Sequence, residues 1–556
     1  MQRQKKKNSS RKAILIAVCS IAVTIVFGFD RKQKTNPPKP MNVIFILTDD
    51  HRFDFMGFTG KVPWLETPAM DRMAKEGVWV RNATVTTALC SPSRASILTG
   101  QYAHTHKVVD NFSPLPDNLN FFPEYLQKVG YRTAFFGKWH MGHAGDDPQK
   151  GFNHWESFRG QGVYYNPLLN INGQRVQYKD STYITDLLTE HAATWMRQQP
   201  KNKPFFMYVS HKGVHDEFMP APRHRNKYHG KPINYPSTIN LTATEKSKLH
   251  GDVCKSPIAA MVKNDTNYNV KDIPQWVWAQ RNSWHGVDFM YDGRVQFDDF
   301  YYRYCETLLA IDESVASIRK TVEELVIAEN TMIIYMGDNG FLMGEHGLID
   351  KRNMYEESQK VPLLVYAPGM SHNGKPLDQI IQGIDIAPTV LEVAGVTKPA
   401  NMQGQSFLPL LQDKTVNWRN KAFYEYYWEF SYPQTPTTLG VREGAHKFIF
   451  YPGLWDVSEF YDLSTDPEEK KNLYRHPAWQ NEIGRMRKEL WSWLQEPGGN
   501  RAGTVPTEVS TWVQRWRACN CGCCHTSCMS LTAALAICAS SSRCTTCSQV
   551  RASKAS

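Results

Sequence analysis

Four short apolar runs along this chain each end in polar or charged residues, and this pattern constrains the fold more than any other feature of the sequence. The runs are residues 43–47, 133–136, 205–209 and 332–336. Amphipathic helical patterns separate them, and such alternation is typical of a mostly parallel β-sheet covered by helices on both faces. Because ligands bind at the carboxyl edge of such sheets, the four polar segments are predicted to meet in one site.

The residues that follow these runs are of the types that bind cations and transfer protons. They are TDD at 48–50, GKWH at 137–140, SHKGVH at 210–215 and GDNG at 337–340. Asp49 and Asp50 have an ordinary alternative, because Asp after a strand commonly caps a turn. If the backbone turns sharply there, both carboxylates can reach one hard cation. Asp338 and Asn339 would then complete an all-oxygen ligand set suited to calcium or magnesium.

Residues 89–102, LCSPSRASILTGQY, place a cysteine at a predicted helix N-terminus. Pro92 suits the first helical turn, and Gly100 is expected to end the helix. The free amides and the helix dipole would favour an anion beside Cys90, and Arg94 could bind the same anion with two hydrogen bonds. On this segment alone, a small buried core cysteine is the alternative.

The charge of the chain is concentrated at its two ends. The formal net charge is +10, of which residues 1–40 carry +9 and residues 510–556 carry +5, so that residues 41–509 carry −4. With 556 residues and 41% hydrophobic composition, the chain can form a large domain and a smaller one. The body is mildly acidic, so an anionic substrate requires a local cluster of cations, and nucleic acid is not an expected partner.

The N-terminal 40 residues predict export from the cytoplasm. A basic segment precedes the apolar stretch at 13–29, and a proline-rich linker follows it. This order is typical of a signal peptide or of an uncleaved membrane anchor with its basic end inside. The expected location is therefore periplasmic, extracellular or membrane-anchored.

Cysteines are unevenly distributed. Eight of the twelve lie in the last 38 residues, whereas the body has only Cys90, Cys254 and Cys305. A disulfide framework in the body is therefore not expected. The tail at 501–556 has no recognisable zinc-ligand spacing, and we interpret its last part, 510–556, as a non-native extension in preference to a metal cluster.

Taken together, these segments resemble the type I sulfatases of the alkaline-phosphatase-like superfamily. Residues 90–94 match the C-x-P-S-R signature in which a maturation enzyme oxidises the cysteine to formylglycine. The resemblance covers about residues 41–480 and implies an α/β fold with a large, mostly parallel sheet between helices. It places the catalytic domain at 41–400 and a smaller C-terminal α+β domain at 401–500. The matching site positions are Asp49, Asp50, Cys90, Arg94, Lys138, His140, His215, Asp338, Asn339 and Lys351.

The resemblance implies hydrolysis of sulfate esters with a bound divalent cation, Ca²⁺ in preference to Mg²⁺. The implied cation ligands are Asp49, Asp50, Asp338, Asn339 and the modified Cys90. In the family, hydrated formylglycine carries two hydroxyls on one carbon. One attacks sulfur and expels the alcohol, and the other then loses its proton as sulfate leaves and the aldehyde returns.

The resemblance also implies the groups that transfer protons. His140 is the base for the elimination of sulfate, and His215 protonates the leaving oxygen with help from Lys351. Arg94 and Lys138, together with Lys351 and the cation, neutralise the charge of the sulfate. His211 competes with His215 for its position, and Arg352 competes with Lys351.

Three further segments are similar to those of N-acetylglucosamine-6-sulfatases that act on heparan or keratan chains: residues 106–111, 163–174 and 349–352. Asp110, Asn111 and Trp155 are candidate sugar contacts, with loop and core roles as the alternative. The expected partners are a sulfated glycan and the maturation enzyme. The alternatives are a sulfatase for another polysaccharide, a phosphodiesterase or phosphonate hydrolase, and an inactive sulfated-glycan-binding protein. Ser93 and the ASILTG run favour sulfate esters.

Overall fold

The computed structural model describes residues 41–143, 145–239, 273–368, 374–453 and 456–495. The chain divides into two units, residues 1–490 and 491–556, and both main sheets lie in the first. The predicted signal or anchor at 13–29 and the cysteine-rich tail at 501–556 lie outside the described residues. Within the described ranges, no helix combines the length and apolarity needed to cross a bilayer.

The strands and helices alternate along most of the first unit. The strands are β1 Asn42–Thr48, β2 Val78–Thr84, β3 Arg132–Lys138, β4 His154–Phe158, β5 Leu168–Ile171, β6 Gln174–Gln177, β7 Phe205–Ser210, β8 Thr331–Gly337, β9 Leu342–Met343, β10 Ile349–Asp350, β11 Leu363–Tyr366, β12 Leu377–Gln382, β13 Lys421–Tyr426, β14 Thr438–Glu443, β15 His446–Phe450 and β16 Glu459–Asp462. The α-helices are α1 Pro68–Glu76, α2 Cys90–Thr99, α3 Ala103–His106, α4 Phe122–Lys128, α5 Ile184–Arg197, α6 Gln275–Arg281, α7 Phe297–Glu324, α8 Glu356–Gln359, α9 Ile386–Val393, α10 Leu408–Leu411 and α11 Gln480–Gln495.

The central sheet has ten strands in the order β12-β2-β11-β8-β1-β7-β3-β4-β5-β6. Every pair from β8 to β4 is parallel, whereas β11 and β5 run antiparallel to their neighbours. The prediction of a large, mostly parallel sheet is therefore confirmed. The four predicted strands are β1, β3, β7 and β8, and they lie side by side, which brings their carboxyl ends to one stretch of the sheet edge.

Strand β1 shows how the sequence produces helical layers on both faces. Val43, Phe45 and Leu47 pack into one core and Ile44 and Ile46 into the other, because successive side chains of a strand point to opposite faces. Helices α2, α4 and α9 contribute to the first core, and α1, α5 and α7 contribute to the second. All of β1 is buried, as expected for a strand covered on both sides.

A second, antiparallel sheet follows toward the C-terminus in the order β13-β14-β15-β16. Tyr424, Tyr426 and Ile449 of this sheet pack in the same core as Phe45 of the central sheet. The smaller α+β part of the fold prediction is thus confirmed, while the domain division at residue 400 stays a prediction.

Candidate active site

The polar segments after β8, β1 and β7 are joined by backbone hydrogen bonds that continue the sheet past the strand ends. The amide of Asp338 donates to the carbonyl of Thr48 at 2.9 Å, and the amide of Asp49 donates to that of Gly213 at 3.0 Å. Asp50 has φ of 54°, a left-handed conformation that Asp tolerates better than most residues. The backbone therefore turns sharply at Asp50, which directs the two adjacent carboxylates into the same cluster.

Three buried carboxylates, those of Asp49, Asp50 and Asp338, have oxygens that all lie within 4.8 Å of one another. Burial, and then the neighbouring charge of Asp49, raises the pKa of Asp338 to about 7. Asp50 Oδ2 and Asn339 Oδ1 are buried without a hydrogen-bond partner among the described residues. Because buried oxygens normally have partners, this cluster fits a hard divalent cation held by oxygen ligands.

Three buried cations each contact a different carboxylate of this cluster. Arg94 Nη2 lies 2.7 Å from Asp338 Oδ2, Lys138 Nζ contacts Asp49 Oδ2, and Lys351 Nζ contacts Asp50 Oδ1. Burial by itself raises the pKa of Asp49, but the charge of Lys138, followed by those of Arg94 and Lys351, outweighs it and holds that pKa well below its usual value. The cluster therefore combines oxygens for a cation with cations for an anionic substrate.

Cys90 is the first residue of α2, whose end is marked by Gly100 with φ of 66°. The buried Sγ lies 3.3 Å from Asp49 Oδ1 and 3.4 Å from Lys351 Nζ. Burial, followed by the charge of Asp49, raises the pKa of this thiol to about 12. A thiol that stays protonated at neutral pH is a poor nucleophile, so the encoded side chain is not suited to act as a thiolate.

The loop after α3 supports the start of this helix. Asn111 Oδ1 accepts a hydrogen bond from the Ser91 amide at 3.0 Å, which satisfies one of the free amides of the first turn. Ser91 Oγ in turn contacts the carbonyl of His140 and lies 3.4 Å from its Nδ1. Asn111 and His140 are thus linked through Ser91, directly beside Cys90.

His215 and not His211 lies with the reactive cluster. A ring nitrogen of His215, Cys90 Sγ and an Asp49 oxygen are all within 4.8 Å of one another. The ring of His211 is instead 3.0 Å from Ser314 Oγ through its Nε2. The geometry therefore favours His215 for the position that the sequence left open.

The surroundings of the two site histidines favour their neutral form. His215 Nδ1 lies 2.6 Å from the carbonyl of Asp216, which can only accept, so Nδ1 carries the proton and Nε2 has a free lone pair. Burial and then the charge of Lys138 lower the pKa of both His215 and His140 well below the usual range. A neutral ring can act as a base without first losing a proton.

The contacts of Lys351 and Arg352 distinguish which of the two side chains belongs to the site. Arg352 Nε donates to Glu429 Oε1 at 2.9 Å, and its guanidinium also contacts Asp350. The same guanidinium lies 3.4 Å from the centroid of the Tyr432 ring. Arg352 is thus engaged by Glu429, Asp350 and Tyr432, whereas Lys351 contacts Cys90 Sγ, so the geometry favours Lys351.

Two of the candidate sugar contacts occupy structural positions. Trp155 is 1% exposed, stacks on Phe135 at 4.6 Å and donates through Nε1 to the Asp146 carbonyl at 2.8 Å. It is a core residue because β4 directs it into the layer between sheet and helices, and we correct the sugar-contact interpretation accordingly. Asp110 accepts from Ser113 Oγ at 2.8 Å and stabilises its own turn.

Two side chains that hold the cations of the site, Ser210 and Gln161, were not predicted from the sequence. Ser210 Oγ accepts from Arg94 Nη1 at 2.6 Å, and Lys138 Nζ contacts Gln161 Oε1. Ser210 ends β7, so its position at the carboxyl edge of the sheet was a usable signal. Gln161 lies in a loop without such a signal.

Two family models match the chain. The model described as Sulfatase matches residues 41–396, and the model described as N-sulphoglucosamine sulphohydrolase, C-terminal, matches residues 344–496. The first match includes every residue of the cluster from Asp49 to Lys351.

Two relatives and a solved structure agree with these matches. An N-acetylglucosamine-6-O-sulfatase of Bacteroides thetaiotaomicron is 32% identical over 542 residues, covering 91% of this chain and 94% of the relative. An N-acetylglucosamine-6-sulfatase of Capra hircus is 30% identical over 484 residues, covering 78% and 79%. A structure solved in complex with its substrate D-glucosamine-2-N,6-O-disulfate has a TM-score of 0.69 at 30% identity, covering 83% of this chain and 100% of the other.

Proposed function

Because the chain belongs to the sulfatase family of sulfuric ester hydrolases, we propose that it removes the 6-O-sulfate of N-acetylglucosamine-type sugars in sulfated glycans. The observation that carries the proposal is the position of Cys90 at the start of a buried helix, between Asp49 and Lys351. The choice of sugar is supported by the two relatives, which are N-acetylglucosamine-6-sulfatases, and by the substrate of the solved neighbour.

We propose that Cys90 is converted to formylglycine and that Ca²⁺ is the resident cation. Asp49, Asp50, Asp338 and Asn339 would hold the ion, with the oxygen of the modified residue 90 as a further ligand. An oxygen-only set of this kind is preferred by calcium and magnesium over zinc. The cation and the formylglycine hydrate supply the nucleophilic hydroxyl and part of the charge that neutralises the sulfate.

The chain's own residues then bind the sulfate and transfer protons. Arg94 and Lys138 supply positive charge for the anion, and this charge is worth most in a buried site of low dielectric constant. His140 is neutral and takes the proton of the second hydroxyl. His215 gives a proton to the sugar oxygen, with Lys351 as a second donor. Burial, followed by the charges of Lys138 and Lys351, lowers the pKa of His215, and a bound sulfate ester that offsets these two charges raises that pKa again.

We also propose how the protein is exported and how Cys90 is modified. The apolar segment at 13–29 directs the protein out of the cytoplasm, as a cleaved signal or as an anchor. A formylglycine-generating enzyme is the maturation partner, and it must act before folding completes, because Cys90 is fully buried in the folded chain.

The test is sulfate release from defined sugars by protein that was co-produced with a maturation enzyme. We expect N-acetylglucosamine-6-sulfate and its N-sulfated analogue to react faster than N-acetylglucosamine-3-sulfate and galactose-6-sulfate. The Cys90→Ala variant is the matched control for contaminating sulfatases. A preference for the 3-sulfate or for galactose would overturn the sugar assignment, and a preference for a phosphonate monoester would overturn the reaction class.

A further inference from the structure

Lys212 is a buried cation of the site that the reaction described above does not use. It lies between β7 and His215 and is 3% exposed. Its ammonium is 4.7 Å from the centroid of the Tyr164 ring. Across the described residues, that ammonium forms no ion pair and no hydrogen bond.

The other buried cations of the site differ from Lys212 in this respect, since each contacts a carboxylate. Lys138 contacts Asp49 and Lys351 contacts Asp50, whereas neither aspartate forms an ion pair with Lys212. Burial, and then the repulsion of Lys138, lowers the pKa of Lys212 to about 8, so that the side chain is still mainly charged at neutral pH. Lys212 therefore contributes a positive charge that nearby carboxylates, Asp49 first among them, attract from a distance but that none of the described residues pairs with directly.

A purely structural role does not account for this arrangement. The Tyr164 ring attracts the ammonium, but it occupies only one side of it, and a largely buried ammonium without a carboxylate partner still costs desolvation energy. The site around Lys212 is also held in place. The Tyr164 hydroxyl donates to the His215 carbonyl at 2.7 Å, and the His215 amide donates to the Lys212 carbonyl at 3.0 Å. These bonds fix the backbone of Lys212 to His215 and to the tyrosine under its ammonium, and the ammonium lies close enough to Lys138 and Asp49 for their charges to act on it.

We propose that Lys212 is a substrate-binding residue whose ammonium contacts the sulfate group, both in the ester and in the inorganic sulfate product. This inference rests on the proposed function, because it takes the anion of the site to be sulfate. Bound sulfate supplies the negatively charged partner that the Lys212 ammonium does not have among the described residues of the free protein. A charge-assisted hydrogen bond formed only in the complex contributes to affinity without a competing partner to displace.

The test compares Lys212→Met and Lys212→Arg with wild type by calorimetric titration with inorganic sulfate and by steady-state kinetics on N-acetylglucosamine-6-sulfate. We expect Lys212→Met to weaken sulfate binding and to raise KM by about tenfold or more, with a smaller change in kcat. Lys212→Arg should restore most of the affinity. The melting temperature of Lys212→Met should equal or exceed that of wild type, because an unpaired buried charge is removed.

Lys360→Met is the matched control. Lys360 also lies over an aromatic ring, 4.3 Å from the Phe53 centroid, but it has a carboxylate partner in Glu356 at 3.7 Å. We expect this variant to leave sulfate affinity and KM unchanged. Sulfate affinity within twofold of wild type in Lys212→Met would overturn the proposal, and so would a clear fall in its melting temperature.

The sulfate titration and the kinetics together distinguish a failure of this inference from a failure of the proposed function. If wild type binds sulfate but releases none from any sulfated sugar, the proposed function fails while the titration still decides the role of Lys212. If wild type turns over the sugar and Lys212→Met matches it in KM and in sulfate affinity, the proposed function stands and the role of Lys212 does not.

Discussion

The ammonium of Lys351 lies 3.4 Å from Cys90 Sγ while it also contacts Asp50 Oδ1. One side chain therefore links the residue that is to become the nucleophile with a proposed ligand of the cation. Lys351 lies where it can reach the sugar oxygen that leaves from a sulfate ester bound at residue 90, because Asp50 already holds its ammonium beside that residue.

Replacing Cys90 by alanine should abolish sulfate release while leaving the fold intact. The side chain is small and buried, so its loss leaves only a small cavity that destabilises the protein by about 1–2 kcal/mol. Mass spectrometry of the peptide that contains residue 90 should show the aldehyde in active wild-type protein. Active protein that contains only unmodified cysteine would refute the mechanism.

Replacing His215 by alanine should reduce turnover of sugar sulfates by about 10²–10⁴-fold, the usual contribution of a general acid. Aryl sulfates with acidic phenol leaving groups need less protonation, so the variant should lose much less activity on them. The measurement is kcat/KM for both substrate classes. His211→Ala is the control, because His211 faces Ser314. Any activity that this variant loses should be lost equally on both substrate classes. Equal losses of His215→Ala on both classes would contradict the acid role.

The placement of the strands could be predicted from the sequence because it depends on local patterns. Apolar runs mark β1, β3, β7 and β8, and the rule that ligands bind at the carboxyl edge then collects the polar residues that follow them. Gly100 likewise ends α2, as predicted from its position after an apolar stretch. The antiparallel β11 within the sheet was not predicted, because its direction is set by the connection and not by its composition.

The pairing of charges could not be predicted in the same way. Lys351 and Asp50 are 301 residues apart, and Lys138 and Asp49 are 89 apart. Such contacts depend on how the segments converge in three dimensions. The lack of an ion-pair partner for Lys212 among the described residues could not be predicted either, because a single charged residue in a sequence usually lies on the solvated surface.

Adding Ca²⁺ should stabilise the protein, because the cation relieves the repulsion among Asp49, Asp50 and Asp338. A ligand present at a hundred times its Kd contributes about 2.7 kcal/mol to the free energy of unfolding. Thermal denaturation with chelator, Ca²⁺ or Mg²⁺ measures this, and Ca²⁺ should raise the melting temperature more than Mg²⁺. The Asp338→Asn variant should show a smaller shift. Identical melting curves with chelator and with Ca²⁺ would argue against the cation site.

The stability of the C-terminal sheet should depend on pH through Glu459. This carboxyl lies among the hydroxyls of Tyr355, Tyr451 and Tyr461, and burial raises its pKa from the ordinary 4.5 to about 7. The folded state thus binds the proton more tightly than the unfolded chain. The stabilisation of the folded state by this bound proton is fully present below pH 4.5 and is lost as the pH rises through 7.

The Glu459→Gln variant removes this titration and keeps a polar group among the tyrosines. The difference in unfolding free energy between wild type and variant should therefore shift in favour of the variant, by at most about 3 kcal/mol, between pH 5 and pH 8. Denaturant unfolding at both values measures it. A difference that is the same at the two pH values would show that Glu459 is ionised throughout.

Replacing Gly137 by alanine should destabilise the protein strongly and impair the site. Gly137 has φ of 110°, and an added Cβ would lie 1.9 Å from the Ser210 carbonyl oxygen on the neighbouring strand. The strands must separate to admit it, which displaces Lys138 and the Ser210 hydroxyl that binds Arg94. We expect a loss of about 3 kcal/mol or more together with a higher KM.

Gly130→Ala is the matched control for Gly137→Ala. Gly130 also has a positive φ, 91°, but nothing lies within 4 Å of the added Cβ. The Gly130→Ala variant therefore has the backbone strain without the collision. We expect its free energy of unfolding to fall by about 1 kcal/mol and its KM to stay normal. Denaturant unfolding and kinetics on both variants separate strain from collision. Equal losses in the two variants would mean that the close approach of β3 and β7 at this point does not determine the position of Lys138.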